Sequence, residues 1–437
     1  MKAPMRRIRE MLTGPTAVNS LVVATGNGVS ALSGLAATVL VSRAMGPSIY
    51  GVFSLALGAA TTATTLMDFG LNEGLLRHAA RSGAAGDMNA TGRFLKAYAQ
   101  LKTLLFLVVC AAGLGLSSWL AAYVLKFPYP ALLRWAIVGA LGLNLLTCGR
   151  NLLEARQRFL DVSIVTAGSG LLKLIAIATL FWLGRLTPAK TLIVYLYLPA
   201  AGLVYALWRL PDIPLRPDGR RSLAPERREL IGFGAWIGFV SICASIAGYL
   251  DVTLINRSLD PRAVGLYSAA YRFASVFVAA SFPLASVLKA RASTFSTVGR
   301  LEAYLGKARI MAVLAGFGVL AVWIAAPLVV HVFLGPAYEE SIPLLRILSI
   351  GTALSFASSP FIMAFYAFGR SRSLAILGPV NLGVLFAALR LLLPRYGIAG
   401  AAWAFSLTHA AVFVLLIVLV RVDLAQTHEE TAATPNA

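Results

Sequence analysis

Apolar residues in this chain do not alternate with polar ones. They come in long blocks separated by short polar breaks. About 20 consecutive apolar residues make a helix that crosses hydrocarbon. Twelve such spans are predicted, over 18–42, 50–70, 97–123, 131–151, 162–183, 189–208, 231–256, 263–288, 308–334, 342–367, 373–393 and 397–421. The short alternating segments of a membrane β-barrel do not occur. The predicted fold class is all-α integral membrane. Six spans precede the basic stretch "WRLPDIPLRPDGRRSLAPERREL" and six follow it. The expected organisation is an N-terminal six-helix bundle (1–208), a basic cytoplasmic linker (209–230), a C-terminal six-helix bundle (231–421) and a disordered cytoplasmic tail (422–437).

The two halves carry a repeat. "RAMGPSIYGVFS" at 43–54 aligns without gaps on "RSLDPRAVGLYS" at 257–268. Arg43 falls on Arg257, Pro47 on Pro261, Gly51 on Gly265, Ser54 on Ser268 and Arg77 on Arg291. Seven of 35 positions are identical between 43–77 and 257–291, and they include the Pro and Gly that shape turns. With six spans per copy, both copies have the same orientation. The expected relation is a pseudo-two-fold axis along the membrane normal, a known transporter arrangement.

Composition agrees with that pattern. Hydrophobic residues make up 58% and charged residues 13%, with mean hydropathy +0.78. A soluble domain carries about 25% charged residues. The net charge of +20 would suggest nucleic acid in a soluble protein. Here the excess lies in the loops of one side. With the N-terminus inside, 26 of the 38 Lys and Arg fall on inner segments and 10 on outer ones, which predicts cytoplasmic termini. Residues 77–102 hold five of the inner cations, Lys102 among them. No nucleic-acid partner is expected. The basic start followed by a long apolar span reads as a retained anchor. Cys110, Cys148 and Cys243 lie inside apolar spans and read as packing residues.

The longest stretches outside the spans run to about 25 residues, too short to fold as a catalytic domain. No GxxxxGK[ST] phosphate loop is present. His78, His331, His409 and His428 are scattered without metal-ligand spacing. Neither an enzyme nor a cofactor is expected. A repeated helical body with little outside the membrane suits alternating access around a central site.

The first hairpin, "RAMGPSIYGVFSLALGAATTATTLMDFGLNEGLLR", resembles that of the Wzx-type polysaccharide flippases. These belong to the MATE-like multidrug/oligosaccharidyl-lipid/polysaccharide exporter superfamily. Arg43, Gly46, Pro47, Tyr50, Gly51, Asp68, Gly70 and Arg77 carry the pattern. Asp251, Gly265, Tyr267 and Arg272 carry it in the second half, and the last span adds "GIAGAAWAFSLTHA". The resemblance implies a MATE-like inverted V of two bundles in the bacterial inner membrane. It also implies transfer of an undecaprenyl-pyrophosphate-linked oligosaccharide from the inner to the outer leaflet. The implied partners are that lipid-linked glycan, membrane lipids and a polysaccharide polymerase or export complex.

Ionisable residues within spans are functional candidates by default. Lys173 is near the middle of span 5, and Arg272 lies about 15 Å into span 8 at 1.5 Å per residue. Both are candidates for a cationic cleft that meets pyrophosphate oxygens. Arg43 and Arg257, at matching outer helix ends, are candidates for the substrate-binding residues of the same cleft, forming its outer gate or guiding the headgroup out, or for interface anchoring. Asp251 is a candidate for ion coupling. Asp68, Arg77 and Arg291 are gating candidates, with Asp68 expected to cap a helix or pair with Arg77 or Arg81. Asn27, Asn144, Asn381 and His409 read first as helix–helix hydrogen-bonding groups. The small-residue runs of spans 1 and 7 are expected to pack near the seam between the bundles. Two alternatives compete: a MATE-type drug/cation antiporter, and an integral-membrane glycosyltransferase, polymerase or ligase. Span 1 has no acidic residue, which disfavours the antiporter. The outer loops are short, which disfavours the enzyme.

Overall fold

The structure, a computed structural model, describes residues 15–84, 87–210, 223–276, 298–367 and 376–433. Secondary structure among them is helical throughout. The first unit holds α1 (Pro15–Asp68), α2 (Leu71–Ala84), α3 (Met88–Trp119), α4 (Pro130–Ala155), α5 (Phe159–Trp182), α6 (Pro188–Leu196), α7 (Ala201–Arg209) and α8 (Ala224–Ser258). After it come α9 (Pro261–Ala274), α10 (Val298–Val329), α11 (Ser341–Ala367) and α12 (Leu377–Ala433).

Nine helical runs among the described residues are long and apolar enough to cross a membrane. Two of them each contain a pair of predicted spans. Gly46 (φ 68°) bends α1 between spans 1 and 2, and Gly397 (φ 56°) bends α12 between spans 11 and 12. Both glycines take left-handed backbone, which costs them little because they lack Cβ. Pro47 then opens the second limb of α1, where its missing N–H is no loss. The nine runs thus cover eleven of the predicted spans. The remaining one, 263–288, begins in α9 and continues outside the described residues. Leu104, Trp119, Ile175, Trp182, Ile324 and Val418 point outward. In a soluble protein that would be an anomalous apolar surface, whereas here it is the face a bilayer covers.

The chain divides into two compact units, Met1–Gly265 and Leu266–Ala437. The expected linker ends before Ala224, where α8 begins, and α8 packs in the first unit. α12 remains helical to Ala433, through most of the stretch expected to be disordered. Lipid tails are as apolar as Leu, so close backbone approach and hydrogen bonds hold helices together in a membrane. The first unit shows both. Gly26 of α1 lies against Ser163 of α5, and Gly170 of α5 against Ser30 of α1. Ser163 Oγ donates to the Val22 carbonyl at 2.8 Å. The small residues of span 1 therefore serve α5, while those of span 7 serve the end of α1, as described below.

In the second unit α11 packs against α10 and α12. Trp323 Nε1 donates to the Arg346 carbonyl at 2.9 Å, and Arg346 Nε donates back to the Trp323 carbonyl at 3.1 Å. Ser406 Oγ donates to the Ile347 carbonyl at 2.7 Å. The repeat is visible in helix geometry too. α3 and α10, the third spans of the two copies, both end in a π-helical turn, Leu120–Leu125 and Val330–Leu334. Each turn is closed by a residue of positive φ, Lys126 (47°) or Gly335 (90°).

Candidate functional site

Several charged residues of the first unit lie along α8, which runs antiparallel to the second limb of α1 and to α2. At one end, a Cβ on Gly51 would run into the Pro261 carbonyl, and a Cβ on Gly265 into the Pro47 carbonyl. The two copies of the sequence repeat therefore touch each other, reciprocally and backbone to backbone. Midway, Gly58 faces the Tyr249 ring, whose hydroxyl donates to the Leu55 carbonyl at 2.9 Å. At the other end, Gly70 meets the backbone of Gly234 and Gly238, and Gly74 lies beside the Leu230 carbonyl.

Near Gly70 the helix is broken. α1 stops at Asp68, Phe69 (φ 45°) and Gly70 (φ 74°) form a left-handed turn, and α2 starts at Leu71. A non-glycine residue at positive φ is uncommon. Asp68 projects from the carbonyl end of α1, where the helix dipole disfavours a carboxylate. Lys102 of α3 compensates, with Nζ 2.5 Å from Asp68 Oδ1 and 3.2 Å from Asn144 Oδ1 of α4. Lys102 is only 8% exposed. Asn144 Nδ2 donates to the Thr64 carbonyl at 3.4 Å. Tyr98 Oη donates to Asn72 Oδ1 at 2.6 Å and lies 3.2 Å from Cys148 Sγ. Seven residues of α1 to α4 thus share one polar network. Asp68 was expected to cap a helix or to meet Arg77 or Arg81; its partner here is Lys102, which sequence reasoning had placed among the inner-loop cations. Arg77 lies over the Phe233 ring, 4.2 Å from its centroid.

Beyond the break, α8 is tied to α2 and α3. Arg93 Nε is 2.9 Å from Glu226 Oε1, and His78 Nδ1 is 3.5 Å from Glu229 Oε2. The His78 ring stacks on Phe94. Burial holds its pKa below the ordinary histidine value; Glu229 opposes that shift, and Arg77 and Arg81 add to it. At the far end of α8, Arg257 Nη1 donates to the Tyr123 and Val124 carbonyls at 2.6 and 3.1 Å. Asn256 Nδ2 donates to the Leu125 and Lys126 carbonyls at 2.7 and 3.2 Å. These are the carbonyls left over where the π-turn ends, and a cation there also meets the negative end of the α3 dipole.

Lys173 of α5 is half-buried. Its Nζ stands 4.9 Å from the centroid of the Tyr195 ring of α6, facing Gly34 of α1. Phe53 meets that ring edge-on at 5.2 Å. An ammonium over an aromatic face gains about 0.5–1 kcal/mol where exposed and more as water is excluded. Arg43 is exposed just before the bend at Gly46. Asp251 is buried in α8, with its Oδ1 on the Val252 amide. Arg272 belongs to the second unit and is exposed on α9. Arg291 lies outside the described residues. The structure thus groups Asp68 with Arg77 around one end of α8 and puts Arg257 at the other, while Lys173 has a separate aromatic setting.

Comparison with known structures agrees with this fold. The chain is similar to an inward-facing multidrug resistance MATE family transporter of the MOP superfamily, at 14% identity and TM-score 0.78, over 94% of this chain and 99% of that one. An outward-facing structure of such a transporter gives 16% identity and TM-score 0.69 over 96% and 98%. A MOP superfamily transporter from Pyrococcus furiosus Vc1, described as having a binding pocket of reverse polarity, gives 16% and 0.70 over 95% and 97%. A search of the curated proteins found no match. The profile of the polysaccharide biosynthesis protein family matches residues 17–289. That match spans more than half of the sequence, and with it this chain, folded like a MATE transporter, belongs to the polysaccharide biosynthesis protein family.

Proposed function

We propose that this protein is a flippase of the bacterial inner membrane, with both termini cytoplasmic. It carries an undecaprenyl-pyrophosphate-linked oligosaccharide, the repeat unit of an O-antigen, exopolysaccharide or capsule, from the inner to the outer leaflet by alternating access. It does so without enzymatic chemistry. The observation that carries this reading is the family match over 17–289 on a transporter-like helical fold. Supporting it, Lys173 lies in the middle of an apolar helix with its ammonium 4.9 Å from the Tyr195 ring, and an ionisable residue within a span is costly and kept for a reason. Lys173 and Arg272 are assigned to the pyrophosphate, with Arg43 meeting the headgroup near the outer surface. Arg257 acts instead by holding the end of α3, since its guanidinium is taken up by backbone carbonyls.

The test is complementation of a deletion strain. Wild-type protein restores surface polysaccharide. Lys173→Ala with Arg272→Ala inserts normally, abolishes surface glycan and leaves lipid-linked repeat units on the cytoplasmic leaflet. Normal surface glycan from the double variant refutes the site; loss of the gene with no effect on any surface glycan refutes the function.

A further inference from the structure

Several helix connections of the first unit meet around a cavity of about 860 Å3. They are the bend of α1, the passages from α3 to α4 and from α5 to α6, and the turn from α8 to α9. The cavity lies wholly within that unit, and its size is that of a small-molecule site. With both termini cytoplasmic, this end is the outer one. The polarity of the wall is graded. Its polar residues, Ser48, Tyr129, Thr187, Asp260 and Arg262, all stand at or beside helix ends. Val52 and Trp135 lie five residues past Pro47 and Pro130, about 7.5 Å further in at 1.5 Å per residue. Ile49 and Leu132 complete an apolar floor. Tyr129 and Trp135 are exposed, as aromatic rings are at the headgroup level of a bilayer. A sugar would need hydrogen-bonding groups all around its ring, whereas the polar groups here are confined to the rim. A phospholipid has this same gradient, with its charges at the surface and its chains inward.

The charges on the rim complement a zwitterion. Asp260 is held in place by accepting the Ala263 amide at 2.7 Å. An ionised carboxylate accepts more than one hydrogen bond per oxygen, so this cap leaves room for an ammonium. Arg262, two residues on, presents the planar fork of donors that suits a phosphate. We propose that the cavity binds one outer-leaflet phospholipid whose head carries a phosphate and a primary ammonium, the phosphatidylethanolamine class. Arg262 meets the phosphate, Asp260 meets the ammonium, and an acyl chain passes over Val52, Leu132 and Trp135. Pro261 belongs to the same wall, and its carbonyl is the one that Gly51 touches. The lipid therefore clamps the place where the two repeat segments cross. The site depends on the proposed topology only for the leaflet, and not on the glycan.

Native mass spectrometry of the delipidated full-length protein tests it, with dilauroyl phosphatidylethanolamine, phosphatidylcholine and phosphatidylglycerol as probes. The first ethanolamine lipid is expected to bind roughly tenfold more tightly than either of the others, the worth of one hydrogen bond between charged groups. Choline has no N–H to donate, and glycerol has no charge for Asp260. Asp260→Asn keeps the helix cap and should bring the ethanolamine lipid down to the choline level. Arg262→Gln should weaken the ethanolamine and choline lipids alike. Leu132→Trp fills the floor and should remove the tight copy. Equal binding of the three lipids overturns the proposal, as does tightest binding of phosphatidylglycerol. So does an ethanolamine preference that survives both Asp260→Asn and Leu132→Trp. Displacement of the bound lipid by maltose would make the cavity a saccharide site and also overturns it. Should Leu132→Trp not fold, the two exposed substitutions, Asp260→Asn and Arg262→Gln, decide alone. No surface glycan is measured, so this test fails or succeeds independently of complementation.

Discussion

Single side chains show how differently the cations of one membrane protein are used. Lys102, Lys173 and Arg257 are all basic residues at or inside an apolar run, yet one neutralises a carboxylate, one lies over a phenol ring and one caps carbonyls. Sequence position separated Lys173 from the rest because it sits mid-span. It could not separate Lys102, which falls near the inner end of its span, where positive charge is expected for topology alone. What distinguishes Lys102 is Asp68, 34 residues away and on another helix. His78 adds a pH effect at this scale. Burial depresses its pKa, so the unfolded chain binds the proton more readily than the folded one. The stability it permits is complete above about pH 6.5, the ordinary histidine value, and is lost as pH falls toward the depressed folded value. Thermal midpoints between pH 8 and 5 should therefore drop more in wild type than in His78→Gln.

Among the elements, α8 has the most consequential packing. Glycines let the second limb of α1 and then α2 approach it at Gly58, Gly70 and Gly74, and let α1 meet the start of α9 at Gly51. The same substitution should have opposite signs depending on where it falls. Gly51→Ala forces a methyl group into the Pro261 carbonyl and should cost roughly 1–3 kcal/mol, the usual range for overpacking. Gly28→Ala meets nothing within 4 Å and removes backbone entropy from the unfolded state, so it should gain about 0.5–1 kcal/mol. Thermal midpoints of the purified variants check both signs. The small-residue runs of spans 1 and 7 were readable as contact surfaces. Their partners were not, because a small residue announces closeness without naming the neighbour: Gly26 met Ser163 of α5, and Gly234 met Gly70.

For the molecule as a whole, the first compact unit extends past the expected linker to take in α8. Leu230 of α8 is fully buried in the cluster formed by Leu71, Leu75, Leu95, Tyr98, Leu153 and Val162. A fragment that ends before α8 would leave that cluster and the glycine seam uncovered. Residues 1–274 should thus yield a monodisperse membrane species on size-exclusion chromatography, while residues 1–222 should aggregate or lose several degrees of thermal midpoint. Equal behaviour of the two fragments would show that α8 is dispensable to the first unit.

The sequence by itself determined the helical membrane fold, the span pattern and the repeat of one segment half a chain apart, because each is written in local features: block length, repeat spacing, turn residues. It also marked Pro47–Gly51 and Pro261–Gly265 as turns, and in the structure both are the first turns of helical limbs. Only the tertiary structure decided that those turns press on each other, that α8 packs with the first unit, and that Asp68 pairs with the buried Lys102. Those are facts about residues far apart along the chain. Their pairing follows from which helix faces come together, and hydropathy and spacing carry no record of that.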